Sequence, residues 1–510
     1  MSQRITLVLV VFGVALGGCG RGSTSSVDAS YDASGDGSAD AAMDGSADAG
    51  ADATLPDGGG TDGSTPPATT LSYTPESCDY LVTTPDVDAT ARGSDVFGSA
   101  QPTPDHVHMS WPSAPESSFA VNWHTDNDTL ASTLLYGTNQ AAVEAADAAD
   151  ADVTAQNGHY LTIPPGGLGG GGQTTFHEVH LCGLTPDTTY YYKVGGPGHW
   201  SQVFDVATAP TKGTRAPFAF AVSGDSRSNQ ENALAIGEHH MLDHGVDFEV
   251  FTGDAVSVGS YQPEWNDFFS ATDGSFNVQD LLATTPMMAV NGNHENLAIN
   301  YFAQFAYPQD VSTGEGGQGE EWYSFDYANA HFIMLNDTVV SSRTIAGNEA
   351  NWLRADLEAA STDPDIDWIF ASHHRPIYTC GSSHAPAGDV RDAWQPLFDE
   401  FQVDVALTGH NHVYHRSRPV RGLSGTEGIV AAETADHAPV ITAGSPSGTV
   451  YLLSGGAGAP LYSTRSDCAF TATAMAIRTY STIEIDGTSL MLSTYSTMSD
   501  ALVDQVAWTK

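Results

Sequence analysis

The chain has 510 residues, more than one compact core accommodates, so two folded domains with additional segments are expected. Its formal charge is −45, with 62 acidic residues and lysine only at Lys193, Lys212 and Lys510. A surface this acidic repels phosphate backbones, which excludes nucleic-acid binding through a basic face.

Residues 1–19 read as an export signal. Arg4 is a minimal basic region, and Ile5–Leu16 is an apolar run too short to span a bilayer. Leu16-Gly17-Gly18-Cys19 resembles a bacterial lipobox, which implies cleavage before Cys19 and lipidation of its thiol. Ordinary signal-peptidase cleavage is the alternative. The expected location is the outer membrane through that lipid anchor, otherwise periplasmic or secreted, with no other membrane contact. Residues 20–70 form an acidic Asp/Ala/Ser/Gly linker, in which nine aspartates run from Asp28 to Asp62 without a basic residue between them. Stacked like charges, glycines and a missing apolar face argue against a helix, so this segment is expected to be disordered. Residues 71–100 are an N-terminal extension that the pattern does not place, beyond Cys78 pinning it to the domain that follows.

Residues 101–212 read as all-β. Ala120-Val121-Asn122-Trp123-His124 and Thr133-Leu134-Leu135-Tyr136-Gly137 are strand-like runs that stop at turn residues. Phe176–Leu181, then Leu184-Thr185-Pro186, then Thr189–Val194 read as strand, Leu-x-Pro-x-x-x-Tyr corner and strand. That sequence resembles a fibronectin type III β-sandwich. Glycines 166–172 form a loop within it.

Residues 213–510 alternate strands with helices before ending in short strands, which indicates an α/β domain. Phe218–Val222, Phe248–Thr252, Trp368–Ser372 and Val403–Thr408 are strand candidates, while Asn232–Asp243 and Ala350–Ala360 are helix candidates. Five polar blocks punctuate this stretch: Gly224-Asp225-Ser226-Arg227, Gly253-Asp254, Gly292-Asn293-His294-Glu295, His373-His374-Arg375-Pro376 and Gly409-His410-Asn411-His412. Each joins carboxylate, amide or imidazole donors to a turn-forming Gly or Pro. One block alone has the plainer reading of a turn residue capping an element. In order, at strand ends, they indicate two metal ions about 3.5–4 Å apart bridged by a carboxylate. His410 and His412 alternate on an extended segment, which places both imidazoles on one side.

Residues 215–510 resemble the metallophosphoesterase (calcineurin-like) superfamily, and 101–510 as a whole resembles its purple acid phosphatase branch. The stretches carrying the likeness are Leu184–Pro186 with Tyr190–Gly195, and Leu407-Thr408-Gly409-His410-Asn411-His412-Val413-Tyr414. The resemblance implies a fibronectin III-like sandwich followed by an α/β metallophosphoesterase domain, a two-sheet β-sandwich flanked by helices. It also implies a dinuclear site of Fe, Zn or Mn whose metal-bound hydroxide attacks a phosphate ester. Within it, Asp225 and His412 hold the first metal, Asn293, His374 and His410 the second, and Asp254 bridges. His294 faces the leaving oxygen, and His384 is a second proton donor or an ordinary loop histidine. Apart from the resemblance, Arg227 suits either a bidentate contact with substrate phosphate or a surface salt bridge. His373 and His331 are assigned to structure rather than chemistry.

Two positions depart from the family pattern. Ser257 stands where the purple branch has an iron-ligating Tyr, and Arg227 stands where the wider superfamily has a His. The first metal therefore lacks one protein ligand. The Gly455–Pro460 run reads as a tight turn near the metals, because no nucleotide-loop Lys follows it. With Cys19 set aside, four cysteines allow three pairings. One pair per domain favours Cys78–Cys182 and Cys380–Cys468, and no Cys-x-x-Cys pair suggests zinc. The expected function is an exported phosphomonoesterase of acid phosphatase type. The alternatives are a phosphodiesterase of nucleotides or lipid head groups, and a surface binding protein with a vestigial metal site. Substrate, metal pair and oligomeric state are open.

Overall fold

The computed structural model describes residues 71–510 apart from 86–87, 92–94, 165–172, 228–232, 310–318, 339–340, 382, 424–427 and 443–446. The expected leader with Cys19, the linker 20–70 and the glycine loop 166–172 lie outside those residues. Among the described residues no helix is long and apolar enough to cross a membrane.

The N-terminal sandwich is built from two antiparallel sheets. One runs Asp88–Ala91, His159–Ile163, Thr174–Leu181, Phe119–Thr125, Asp105–Ser110; the other runs Phe204–Ala207, Thr189–Gly195, Thr133–Gly137, Thr154–Asn157. Met109, Phe119, Val121, Leu134, Val179, Tyr192 and Val194 fill the interior between them. The Leu184–Tyr190 corner closes as its residues suggest, with the Thr185 N–H donating to the Tyr190 hydroxyl at 3.0 Å.

The extension 71–100 belongs to this sandwich. Asp88–Ala91 adds an edge strand against His159–Ile163, and the Cys78–Cys182 disulfide ties its start to the following corner. The Tyr73 and Tyr80 hydroxyls each lie 2.9 Å from an imidazole, that of His159 and of His180. These two rings flank the buried Glu178, whose carboxyl is held at about 2: burial opposes the charge, but His159, His180 and Asn122 outweigh it.

The catalytic half packs two sheets face to face. The first is ordered Met287–Ala289, Phe248–Phe251, Phe218–Ser223, Thr479–Asp486, Ser489–Ser496, Leu502–Thr509, and its first three strands are parallel. The second is ordered Tyr323–Tyr327, Ala330–Met334, Trp368–Ser372, Val405–Thr408, Val450–Ser454, Tyr414–Ser417, Thr471–Met475. Parallel strands covered on both faces carry continuous apolar runs, as Phe-Ala-Phe-Ala-Val and Trp-Ile-Phe-Ala do here. Phe220 from one sheet meets Phe332 and Phe370 from the other edge to face at 5.0 and 5.1 Å. Each such ring, once buried, stabilises the fold by roughly 1.5–3 kcal/mol.

Ala350–Thr362 buries Leu353, Leu357 and Ala360 on one face, as the spacing indicates. The helix expected over 232–243 is assigned as Ala235–His244 and stops at Gly245, where φ is 67°. Trp111 of the sandwich lies against Phe248, Phe325 and Tyr327 of the catalytic half, at 5.2, 5.6 and 5.6 Å. The Tyr192 hydroxyl donates across the same boundary to the Ala283 carbonyl at 2.6 Å. One apolar core runs through both halves.

Candidate metal centre

All five polar blocks sit at the carboxyl ends of parallel strands, where ligand sites form in open sheets. Asp225 follows Phe218–Ser223, Asp254 follows Phe248–Phe251, Asn293 follows Met287–Ala289, His374 follows Trp368–Ser372, and His410 and His412 follow Val405–Thr408. Asp225, Asp254 and His410 adopt left-handed backbone at φ 56°, 59° and 67°, which turns each chain sharply into the site. Two glycines permit the approach. A Cβ on Gly292 would fall 2.2 Å from Asp254 Oδ1, and one on Gly409 would fall 2.4 Å from Asp225 Oδ2.

The donors form two groups that share Asp254. Asp254, His374 and His410 make one; Asp225, Asp254 and His412 make the other. Asn293 joins the first, its Oδ1 lying 3.0 Å from His374 Nε2 and 2.8 Å from His410 Nδ1. Asp254 Oδ2 is 3.3 Å from His374 Nε2, and Asp225 Oδ1 is 3.5 Å from His412 Nε2. Donors sharing one ion at ~2.1 Å stand roughly 3.0–3.4 Å apart, so these spacings fit metal coordination. The two rings of the last block are not displayed side by side on a strand. The left-handed turn at His410 sends its ring to one group and that of His412 to the other.

The tautomers suit ligation. His374 Nδ1–H donates to the Thr252 carbonyl and His412 Nδ1–H to the Pro460 carbonyl, both at 2.8 Å, which turns each Nε2 toward the centre. Burial raises the Asp225 carboxyl, opposed by His374 and reinforced by Asp254. Burial also works against the charge on Asp254, yet His374, His294 and Arg227 hold that carboxyl well below the usual range. His374 rises to about 10 against burial because Asp254 and Asp225 face it, whereas burial and the neighbouring His374 and His384 keep His410 neutral. The centre draws positive charge toward its carboxylates.

The remaining candidates are close by. Arg227 is 9 % exposed, too buried for a surface salt bridge, and its Nη1 lies 2.6 Å from His294 Nε2. His294 Nδ1–H donates to the Ser257 carbonyl at 2.7 Å. An open cleft of about 460 Å³ is lined by Ser257, Ser260, Asn293, His294 and Asn296. The His384 ring is 4.2 Å from that of His410. His373 donates to Asp337 at 3.1 Å and packs on Trp394 away from the donors, and His331 sits in a strand between Asp326 and Asp356. A separate cavity of about 440 Å³ at the sandwich boundary shares no residue with the cleft.

Several supporting residues carry weak sequence signals or none. Glu295, inside the third block, accepts the backbone N–H groups of Asp254, Ala255 and Gly292. Asp337 orients both His373 and the Arg375 backbone N–H. Tyr462 stacks on His412 at 4.1 Å, and nothing in its surroundings in the sequence marks it. The Gly455–Pro460 turn wraps the first block, with Ala457 N–H on Gly224 and Ala459 N–H on Asp225, both at 2.9 Å. The Cys380–Cys468 disulfide closes the rim beyond it.

Residues 104–208 match the purple acid phosphatase N-terminal domain, and residues 218–414 match the calcineurin-like phosphoesterase family. The chain belongs to the metallophosphoesterases, in their purple acid phosphatase-like branch. It is similar to probable purple acid phosphatase 20 of Arabidopsis thaliana, 28% identical over 61% of this chain and 69% of that protein. An uncharacterized protein of Mycobacterium tuberculosis is 26% identical over 71% of this chain and 70% of its own length. The fold is shared with the purple acid phosphatase PPD1 of yellow lupin seeds, at a TM-score of 0.65 and 17% identity, covering 80% of this chain and 74% of that one. As a metallophosphoesterase the chain is a metal-dependent phosphoester hydrolase. The family implies a dinuclear centre; Asp254, Asn293, His374 and His410 offer four donors to one ion position, and Asp225, Asp254 and His412 offer three to the other.

Proposed function

We propose that the chain hydrolyses phosphate monoesters at the centre formed by Asp225, Asp254, Asn293, His374, His410 and His412. The observation that supports this most is Asp254, whose carboxylate is common to both donor groups, as a bridging ligand must be. Asn293, His374 and His410 are assigned to one metal position and Asp225 and His412 to the other. A Fe, Zn or Mn ion in these donors supplies Lewis acidity and lowers the pKa of water toward neutrality.

The protein's own groups do the positioning. Arg227 presents its guanidinium to a phosphoryl oxygen, for which a planar set of N–H donors is suited. With Nδ1–H held by the Ser257 carbonyl, His294 would have to take up a second proton on Nε2, once Arg227 engages the phosphate, to give it to the leaving oxygen. His384 flanks the same mouth beside His410. The preference for monoesters rests on the relatives named purple acid phosphatases. The two disulfides support residence in an oxidising compartment. Lipidation at Cys19 is part of this reading, and the mass of the mature N-terminal peptide tests it.

The full chain is stripped of metal, reloaded separately with Zn, Mn and Fe, and assayed on an aryl phosphate monoester and diester. Faster monoester cleavage that is lost in Asn293→Ala is expected. A diester preference would reassign the enzyme as a phosphodiesterase. No cleavage of either ester by a metal-loaded chain would favour a surface binding protein.

A further inference from the structure

The two donor groups are not equivalent, and the difference lies in Arg227. The group around Asn293 offers four protein donors, whereas the group around Asp225 offers three. His412 spends its Nδ1 proton on the Pro460 carbonyl, so its Nε2 carries the lone pair that an ion would need. That same Nε2 lies 3.3 Å from Arg227 Nη2. The other arm of the guanidinium is 2.6 Å from His294 Nε2, and the Arg227 backbone N–H is tied to the Asp254 carbonyl at 3.3 Å.

One lone pair cannot serve a metal ion and an N–H donor together. A guanidinium is charged at every working pH, and a dication in contact with it would be strongly repelled in a site this buried. The cation also meets the electrostatic need there, since Arg227 stabilises the charges of both Asp225 and Asp254.

We infer that the Arg227 guanidinium takes the place of one metal ion at the Asp225–Asp254–His412 position, so that the chain holds a single tightly bound ion at Asp254, Asn293, His374 and His410. The inference rests on the proposed hydrolysis and on the ion position at Asp254, Asn293, His374 and His410, and replaces the ion that Asp225 and His412 would otherwise hold. The guanidinium then supplies the second positive charge of the site.

The test counts ions. The full chain is loaded with Mn(II), freed of excess metal and measured by elemental analysis and electron paramagnetic resonance. One ion per chain with the spectrum of an isolated Mn(II) is expected. Arg227→His and Arg227→Gln should each take up a second ion, with spin coupling between the two. Asp225→Asn and His412→Ala should retain the single ion, and His374→Ala should lose it. These three keep the test decisive if the Arg227 variants fail to fold. Two ions in the unaltered chain would overturn the inference. So would one ion in the folded Arg227 variants, or loss of the single ion in Asp225→Asn. No ion in any of the proteins would sink the metal centre itself, a failure distinct from those three.

Discussion

Glu295 holds Asp254 from behind: its carboxylate accepts the Asp254 backbone N–H at 2.9 Å and also takes those of Ala255 and Gly292 at 2.7 and 2.8 Å. The residue shared by both donor groups is thus fixed through its backbone by a side chain that is not itself one of the donors. Replacing Glu295 by Gln turns one acceptor into a donor facing N–H groups. Metal affinity should fall about 10- to 100-fold, in the range for partners that orient ligands, with the fold retained. Chelator competition measures this, and unchanged affinity in a folded variant would remove Glu295 from the centre's support.

Asp225, one of the donors grouped with Asp254 and His412, adopts left-handed backbone at φ 56°. Asn tolerates that conformation, whereas Ala does not. In chelator, Asp225→Asn should unfold in urea with about 1 kcal/mol more stability than Asp225→Ala. Equal stabilities would mean that the backbone at this turn costs nothing.

The Cys380–Cys468 disulfide encloses the catalytic rim across a separation of 88 residues. The double Ser variant should lose about 2–4 kcal/mol of stability. Because the tied loop carries Pro460, which orients His412, and Tyr462, which stacks on it, KM should rise as well. A stability loss with an unaltered KM would confine the bridge to the scaffold.

His331 supplies a pH signature remote from metal. Burial opposes its charge, but hydrogen bonds to Asp326 at 2.7 Å and Asp356 at 2.9 Å raise it to about 9. Lys212 also pairs with Asp326 at 2.7 Å and stays charged over this range. A histidine raised above its unfolded value of about 6.5 contributes fully below that pH and loses the contribution as pH climbs through 9. Stability should therefore decline by on the order of 2 kcal/mol between pH 6.5 and 9.5. His331→Gln should flatten that decline, and an equally steep profile in the variant would place its origin elsewhere.

The five blocks were legible because ligand chemistry permits few residue types and each sits at a turn that needs Gly, Pro or a left-handed Asp. The disulfide partners followed from the domain division, and the Gly455–Pro460 run was legible as a turn through its glycines. Other features leave no trace in one dimension. Asp-Ala-Thr-Ala at 88–91 alternates, but over only four residues and with small side chains, and it pairs as a strand against the edge that His159–Ile163 presents. The Arg227 contacts depend on side-chain torsions, so its burial against His294 and His412 could not be read from its place after Asp225. Tyr462 meets His412 from fifty residues away through a loop closed by tertiary bonds.

Trp111 rests on Phe248, and Phe248 lies on the strand Phe248–Phe251 that leads to Asp254. The front sandwich is therefore not a cassette that evolution or an engineer can exchange at will. A chimaera joining this catalytic half to a foreign N-terminal domain would leave Phe248, Phe325 and Tyr327 facing water. Its failure would appear as insolubility before any catalytic difference could be measured.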